Sequence, residues 1–543
     1  MNGLGGESMC RQELADMGKS KYTILYFLDY GKSFGGAVNT LIQQAILMKQ
    51  EGHHVVVFFS DYLGEDLQDE CREICLNSGL EYERVTYHIS VQIEDIDIIS
   101  IDRCYEKVKD KIISYKPDIL HSVQLNPCVE LVGRELGILH IMNVYPLIPD
   151  FFSIEYMNIF PHYHICDSWY YAERWKRYLK TDSTCIRTVV NKDALRRSVR
   201  LTNILRFVCV GSIYKGKNQL TVIKAFHKAL QNGVQGILTL CGYSSGEYAN
   251  ECISYIENNG LREKVIVKGF CVDMNQEYLN NDVLICGSTM ESYPNAISEA
   301  MSHGLVVIST PVGGVPEVIE DGKNGYLACG YTPDALCKKI IQVQRGFACG
   351  KIKIILDNAN ATFVENHSPR VVKRDLSKYY QYALRDYKQR LTMENKDDVV
   401  DICRLRSAFN PIIERFNQNE GRFTETNKVS IRLWYLYHIE NKIREAFAQR
   451  KEFYIWGTGK YGVAAKEMVE TFLPEIHINA FLDSKKKGKF GEYTIYRPDD
   501  VLQRENIVVF IAVANGQNEM KEELDKRNMV YNKDYFILAP RSW

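Results

Sequence analysis

The chain has 543 residues, 45% hydrophobic and 25% charged. At about 150 residues per domain this length predicts three to four domains, and the composition excludes disordered, collagen-like and low-complexity classes. Lys+Arg 67 against Asp+Glu 68 leave a net charge of −1, so no global field favours a nucleic-acid partner. No stretch approaches the roughly 20 apolar residues of a spanning helix, and residues 1–20 lack the apolar core of a signal peptide. A cytoplasmic protein is expected. The 16 cysteines include no C-x-x-C, which predicts reduced, mostly buried thiols and neither disulfides nor a metal site.

After a leader over 1–20, YTILYFL (22–28) predicts a buried strand, and the loop DYGKSFGG leads into a helix with apolar residues at Val38, Leu41, Ile42, Ala45 and Ile46, closed by Gly52. HHVVVFFS (53–60) is the next strand. Strand, Gly-rich loop, helix and strand make one βαβ unit of a parallel sheet, and PDILHSV (117–123) continues it. We take 21–200 as a first α/β domain. A second series opens with RFVCVGS (206–212) and a GKNQ loop. It proceeds through GILTLCG, VIVKGF, DVLICGS and GLVVIST, which defines a second domain over 201–391. Residues 367–388 predict helices that pack back on the core. Residues 392–450 read as a charged helical linker, and FYIWGTGKYG (453–462) opens a third, smaller α/β domain over 451–543. Ligands of open α/β sheets lie beyond the carboxyl ends of the strands, so the loops there are the candidate sites.

The most informative string is GSTMESYPNAISEAMSHGLVVISTPVGGVPE (287–317), in which Glu291 and Glu299 are separated by seven residues. Glu291 falls in a loop after a strand, Pro294 suits a first helical turn, and Glu299 lies inside the helix. A free helix N-terminus at Asn295–Ile297 offers amides and partial positive charge to phosphate or sugar hydroxyls. A carboxylate accepts hydrogen bonds from two vicinal hydroxyls. Gly313 and Gly314 are expected to let backbone approach a ligand closely. Taken as two glutamates alone, the pattern equally suits an ordinary strand–loop–helix.

ESYPNAISEAM with STPVGGVPEVIEDGKNGYL resembles the donor-site signature of retaining glycosyltransferases of family 4. These are glycosyl transferases of group 1 with the GT-B fold, two facing Rossmann-like domains. SFGGAVNTL and VGSIYKGKNQ extend the resemblance over roughly 22–390. The resemblance implies a nucleotide-sugar donor, a glycan or lipid-linked acceptor, a place in cell-surface polysaccharide biosynthesis, and no required cofactor or metal. It assigns Glu299 to the ribose, Glu291 to the transferred sugar, and Lys217 to the diphosphate. Gly35 and Gly36 face the diphosphate from the first domain, and the amides near Pro294, Asn295, Ala296 and Ile297 hold sugar hydroxyls. His121, a candidate catalytic residue, matches the first histidine of a His-x-His that the family often carries, the second of which is the one implicated in catalysis. Two positions depart from the family. Ser212 follows Gly211 where an arginine is usual, with Lys215 as a substitute charge that cannot form a bidentate fork. Val123 stands where a second histidine is common.

Gly457, Gly459 and Gly462 form G-x-G-x-x-G between a strand and a helix, and Asp483 follows 21 residues after Gly462. This is the spacing of a dinucleotide fingerprint, hence a second candidate nucleotide site. The small domain also resembles the Rossmann-like N-terminal domain of sugar acyltransferases; a degenerate module used for interaction is the plainer alternative. WYYAERWKRYLK (169–180) has the composition of a helix lying on an anionic membrane, which would place the protein peripherally at the inner face. A half-buried helix with snorkelling Arg174, Lys176, Arg177 and Lys180 accounts for it equally. A D-x-D pair at Asp95–Asp97 lies far from the signature and is not taken as a metal site. Two alternatives stand beside a glycosyltransferase: an NAD(P)-linked sugar-modifying protein using the third domain, and a catalytically silent sugar-nucleotide scaffold.

Overall fold

The computed structural model describes residues 21–538 apart from 30–35, 62–66, 68, 88–97, 125, 146–160, 180, 191–203, 272, 393–432, 514–515 and 532. The leader, Gly35, Lys180, the Asp95–Asp97 pair and most of the linker therefore lie outside the described residues.

Three sheets organise the chain. The first has seven parallel strands: β1 (Thr23–Phe27), β2 (His54–Ser60), β3 (Glu81–Val85), β4 (Ile119–Val123), β5 (Leu139–Val144), β6 (Tyr163–Cys166) and β7 (Asp182–Cys185), in the order β3-β2-β1-β4-β5-β6-β7. The second comprises β8 (Leu205–Val210), β9 (Gly236–Cys241), β10 (Val265–Gly269), β11 (Val283–Cys286), β12 (Val306–Ser309) and β13 (Tyr326–Leu327), in the order β10-β9-β8-β11-β12-β13. In both, the direction of winding reverses beside the first strand, which opens a crevice at that strand's carboxyl end. Helices cover both faces, so the central strands read as unbroken apolar runs: Ile24–Phe27 and Val283–Ile285 are buried without alternation. Glycines in the left-handed region end the helices, Gly52 as anticipated at φ 86° after Gly36–Gln50, and likewise Gly304 at φ 77° after Asn295–His303.

The helix Pro369–Thr392 departs from a simple division at residue 200. After the helix Ile352–His367 has packed on the second domain, the chain returns, and Val372, Leu376 and Tyr380 join the core of the first sheet with Ile24, Tyr26 and Leu41.

The third sheet comprises β14 (Glu452–Trp456), β15 (Ile478–Leu482), β16 (Gly488–Phe490), β17 (Tyr493–Tyr496), β18 (Ile507–Ile511) and β19 (Tyr535–Ile537). Its order is β16-β17-β15-β14-β18-β19, parallel except between β16 and β17. One cluster of buried residues contains Leu25, Phe58 and Val129 of the first domain together with Ile439, Ile443, Phe453 and Phe510. The third domain is thus packed into the same apolar core.

Candidate functional site

The site grows from the loop after β11. Gly287 starts it because a Cβ there would lie 2.4 Å from Val222 Cγ2, leaving no room for a side chain. Pro294 then holds extended backbone (φ −67°, ψ 116°) at the head of the helix Asn295–His303, and no side chain caps its first turn. The amides at Asn295 and Ala296 belong to an uncapped helix start with no acidic residue in it, so its positive end is uncompensated.

Lys217 stands opposite, in the turn after β8. Its Nζ forms an ion pair with Glu291 Oε1, and Ser288 Oγ donates to the same oxygen at 3.1 Å. Burial alone would lower the pKa of the Lys217 ammonium, but the adjacent Glu291 carboxylate outweighs it and holds the pKa above the usual lysine range. Gly211 makes room for this lysine. At φ 131° it has the freedom only glycine has, and a Cβ there would lie 3.2 Å from Lys217 Cε. Gln219 Nε2 fixes the same turn by donating to the carbonyls of Gly211 (3.2 Å) and Ser212 (2.8 Å). The side chains of Ser212 and Lys215 are exposed at its rim.

Glu299 lies deeper. Tyr278 donates its hydroxyl to Oε2 at 2.5 Å, and burial pushes the carboxyl pKa of Glu299 up. Ile297 is fully buried beneath it and serves the core. From the first domain, Gly36 opens the helix Gly36–Gln50, whose first turn also has no acidic residue. A Cβ on Gly36 would sit 3.0 Å from Asn295 Nδ2, so the helix starts of the two domains face each other across the crevice. Two positive helix ends, one lysine and two carboxylates make a cradle for an anion that also carries hydroxyls.

The structure corrects two expectations. His121 has no exposed surface: its Nε2 lies 2.9 Å from Asn143 Oδ1 and its Nδ1 2.5 Å from the Tyr380 hydroxyl. Asn143 Nδ2 donates to Gln44 Oε1 at 2.9 Å, which fixes Asn143 Oδ1 as an acceptor and makes His121 Nε2 a donor. Burial lowers the His121 pKa to about 3, so it stays neutral and belongs to a buried relay. Gly313 and Gly314, expected against a ligand, lie against the protein itself. A Cβ on Gly313 would lie 2.1 Å from the Glu291 carbonyl, and one on Gly314 would lie 2.3 Å from Ser168 Cβ. They let the Glu291 loop and the first domain close on each other.

Ser168 belongs to a contact between domains that residue patterns alone did not reveal. Glu317 accepts hydrogen bonds from the Trp169 amide (3.0 Å) and the Tyr170 amide (2.6 Å), capping the helix Trp169–Leu179 from the opposite domain. Arg187 Nη2 donates to the same carboxylate at 2.5 Å, and its Nη1 donates to the Asp167 carbonyl at 2.7 Å. Ser292, next to Glu291, donates to the buried Asp167 carboxylate, and burial raises the Asp167 pKa to about 7. The only available signal was an acidic residue just beyond a strand (CDSW) and another in VPE. In the capped helix Trp175 and Ala172 are buried, while Trp169 and Tyr170 are exposed beside Lys176 and Arg177.

In the third domain the fingerprint residues gather at the carboxyl ends of β14 and β15. Gly457 (φ 136°) packs against the Ala512 carbonyl, where a Cβ would come within 2.5 Å, and a Cβ on Gly462 would lie 2.1 Å from the Gly457 carbonyl. Gly459 begins the helix Lys460–Phe472 in open space. Asp483 Oδ2 accepts from the Thr458 hydroxyl at 2.6 Å, and Oδ1 accepts from the amides of Lys485 and Lys486 at 2.8 and 2.9 Å. Burial opposes its ionisation, but these donors outweigh it and hold its pKa below the ordinary range.

Comparison with known proteins agrees with this geometry. Residues 191–346 match the family described as glycosyl transferases group 1. A putative colanic acid biosynthesis glycosyltransferase, WcaL of Salmonella typhimurium, is 23% identical over 194 residues, covering 34% of this chain and 47% of that protein. The N-acetyl-alpha-D-glucosaminyl L-malate synthase of Bacillus anthracis is 30% identical over 118 residues, 22% of this chain and 30% of that one. The chain thus spans less than half the length of these curated relatives. Among solved structures, a glycosyltransferase from Rickettsia africae superimposes with a TM-score of 0.58 at 19% identity, over 68% of this chain and 100% of that one. Anabaena HepE in complex with UDP gives a TM-score of 0.55 at 18% identity, over 66% and 99%. These likenesses show the fold. The chain carries a glycosyl transferases group 1 domain set within a GT-B fold.

Proposed function

We propose that the chain is a retaining glycosyltransferase that moves a sugar from a nucleotide-diphosphate sugar to a glycan or lipid-linked acceptor in cell-surface polysaccharide biosynthesis. The observation that carries this reading is the Lys217–Glu291 ion pair beside two facing helix starts from opposite domains, neither with an acidic residue in its first turn. Glu299 would hold the ribose hydroxyls and Glu291 the transferred sugar. Lys217 and the amides of Asn295 and Ala296 would take the diphosphate and sugar hydroxyls, with the Gly36 helix start closing from the other side. Lys215 would lend a further charge at the rim in place of the arginine that Ser212 lacks.

In the transfer, the bond from the sugar's anomeric carbon to the phosphate oxygen breaks, and a bond to the acceptor oxygen forms on the same face. The acceptor's proton passes to the departing phosphate. Such a reaction needs positioning and stabilisation of the leaving charge more than a strong protein base. His121, buried and neutral, has no part in it. The colanic acid and amylovoran biosynthesis glycosyltransferases among the relatives favour a polysaccharide product, and the UDP and UDP-glucose complexes of HepE favour a UDP-sugar donor. No helix among the described residues is long and apolar enough to cross a membrane. The exposed Trp169, Tyr170, Lys176 and Arg177 suit peripheral contact with a lipid-linked acceptor.

Thermal unfolding in the presence of UDP-, GDP-, ADP- and CDP-sugars, NAD(P) and acyl-CoA tests this. A donor at a hundred times its Kd adds about 2.7 kcal/mol. One nucleotide-sugar class is expected to stabilise the protein, and Glu299→Ala is expected to abolish the effect. Stabilisation by NAD(P) or acyl-CoA alone would overturn the reading and move the function to the third domain.

A further inference from the structure

Beside the crevice, three groups outside the proposed transfer machinery converge. Cys241 ends β9. Cys271 follows two residues after Gly269, which closes β10 and is paired in register with Cys241. Glu277 reaches in from the helix Met274–Asn280, whose start is capped by Asp273. One donor atom from each residue lies within 4.8 Å of the other two, and Cys241 Sγ is 3.8 Å from Glu277 Oε2. In a tetrahedral zinc centre with Zn–S of about 2.3 Å and Zn–O of about 2.1 Å, neighbouring sulfur and oxygen ligands lie about 3.5 Å apart. The side chains already stand near ligand spacing.

We propose that Cys241, Cys271 and Glu277 bind a divalent cation of the zinc class, with solvent at the fourth position. Charge supports this assignment. Glu277 Oε1 pairs with Lys268, while Oε2 is the oxygen turned toward the Cys241 thiol. Two thiolates, one carboxylate, one divalent cation and the Lys268 ammonium sum to zero, so the occupied site leaves no net charge in a largely buried place. Cys241 and Glu277 are buried and Cys271 is partly exposed, which gives a cation a way in. Binding breaks two S–H bonds, forms two metal–sulfur bonds and releases two protons to the buffer.

The occupied site ties together the ends of β9 and β10 and the helix that carries Tyr278, the partner of Glu299. The cation would brace the nucleotide side of the crevice from behind, without touching donor or acceptor.

The test uses the full chain, reduced, freed of metal by chelation and titrated with Co²⁺ and then Zn²⁺. One equivalent of Co²⁺ is expected to give a thiolate-to-metal charge-transfer band that Zn²⁺ abolishes. Cys271→Ser and Glu277→Gln are each expected to weaken binding at least about a hundredfold. The control Cys349→Ser removes an exposed thiol and is expected to bind as the wild type does. Circular dichroism checks that each variant is folded, and Glu277→Gln keeps the test decisive if Cys271→Ser is not. No band in the folded, reduced wild type would overturn the proposal. Binding unchanged in both variants would do the same, as would a Cys241–Cys271 disulfide whose reduction yields no metal uptake.

Discussion

Glu317 offers the sharpest test of how the two large domains are held. Its carboxylate accepts two amide hydrogen bonds at the start of the helix Trp169–Leu179, at 3.0 and 2.6 Å, and one guanidinium bond from Arg187 at 2.5 Å. Glu317→Ala removes a helix cap, worth about 1 kcal/mol. It also leaves a nearly buried guanidinium without its anion, and hydrogen bonds to charged groups contribute about 1.5–3 kcal/mol. Arg187 keeps the Asp167 carbonyl at 2.7 Å and its place over the Tyr293 ring at 5.2 Å, which offsets part of that loss. The net cost is therefore about 2–4 kcal/mol, and at about 1.4 kcal/mol per tenfold it corresponds to roughly 30- to 1,000-fold in local opening. Hydrogen exchange read by mass spectrometry over a peptide containing Trp169 and Tyr170 measures that loss directly. Glu317→Gln keeps an acceptor but not the charge and should lose about half as much. Unchanged protection of the two amides in Glu317→Ala would refute the assignment of Glu317 as an interdomain cap.

The other expectations concern charge and packing. Lys217→Ala should lower nucleotide-sugar turnover by about 10²–10³, the cost of losing one preorganised charge at a leaving group; turnover within threefold of wild type would remove Lys217 from the reaction. Asp167, with its pKa raised to about 7 by burial, favours the folded state when protonated. Its contribution is complete below the unfolded carboxyl pKa of about 3.9 and is lost as pH rises through about 7. The urea midpoint should fall between pH 5.5 and 8.5, and less so in Asp167→Asn; equal falls would show that another group governs the slope. In the third domain, Gly462→Ala places a Cβ 2.1 Å from the Gly457 carbonyl and should cost about 1–3 kcal/mol, while Gly459→Ala meets open space and should be nearly neutral. Donor binding unaffected by either would fit a module outside the transfer chemistry. Loss of donor binding in folded Gly459→Ala would contradict that placement.

What the residue pattern reveals here is what short-range physics governs. Buried parallel strands announce themselves as YTILYFL or VLICG because both faces are covered. Gly52 and Gly304 mark helix ends because only glycine enters the left-handed region without strain. The Glu291–Glu299 string is legible because a strand, a loop and a helix start are contiguous in sequence. Partners far apart leave no such mark. Glu317 and Trp169 are 148 residues apart and Ser292 and Asp167 125, and nothing local distinguishes either acid from a surface one. His121 misled for the same reason: its position on a strand is legible, but the helix that buries it lies 259 residues further on. The cysteines include no C-x-x-C, and only the pairing of β9 with β10 sets Cys241 beside Cys271.

The return of the helix Pro369–Thr392 bears on how the chain is made. The second domain is in effect an insertion between two parts of the first, because the Tyr26 hydroxyl meets that of Tyr380, 354 positions further along the chain. During synthesis the first sheet emerges with Ile24, Tyr26 and Leu41 uncovered, and it stays so while the entire second unit is translated and folds. At about 5–20 residues per second that interval lasts some tens of seconds, ample time for an exposed apolar face to meet a chaperone or another nascent chain. A released chain truncated before residue 369 should therefore present a finished second unit and an unfinished first one.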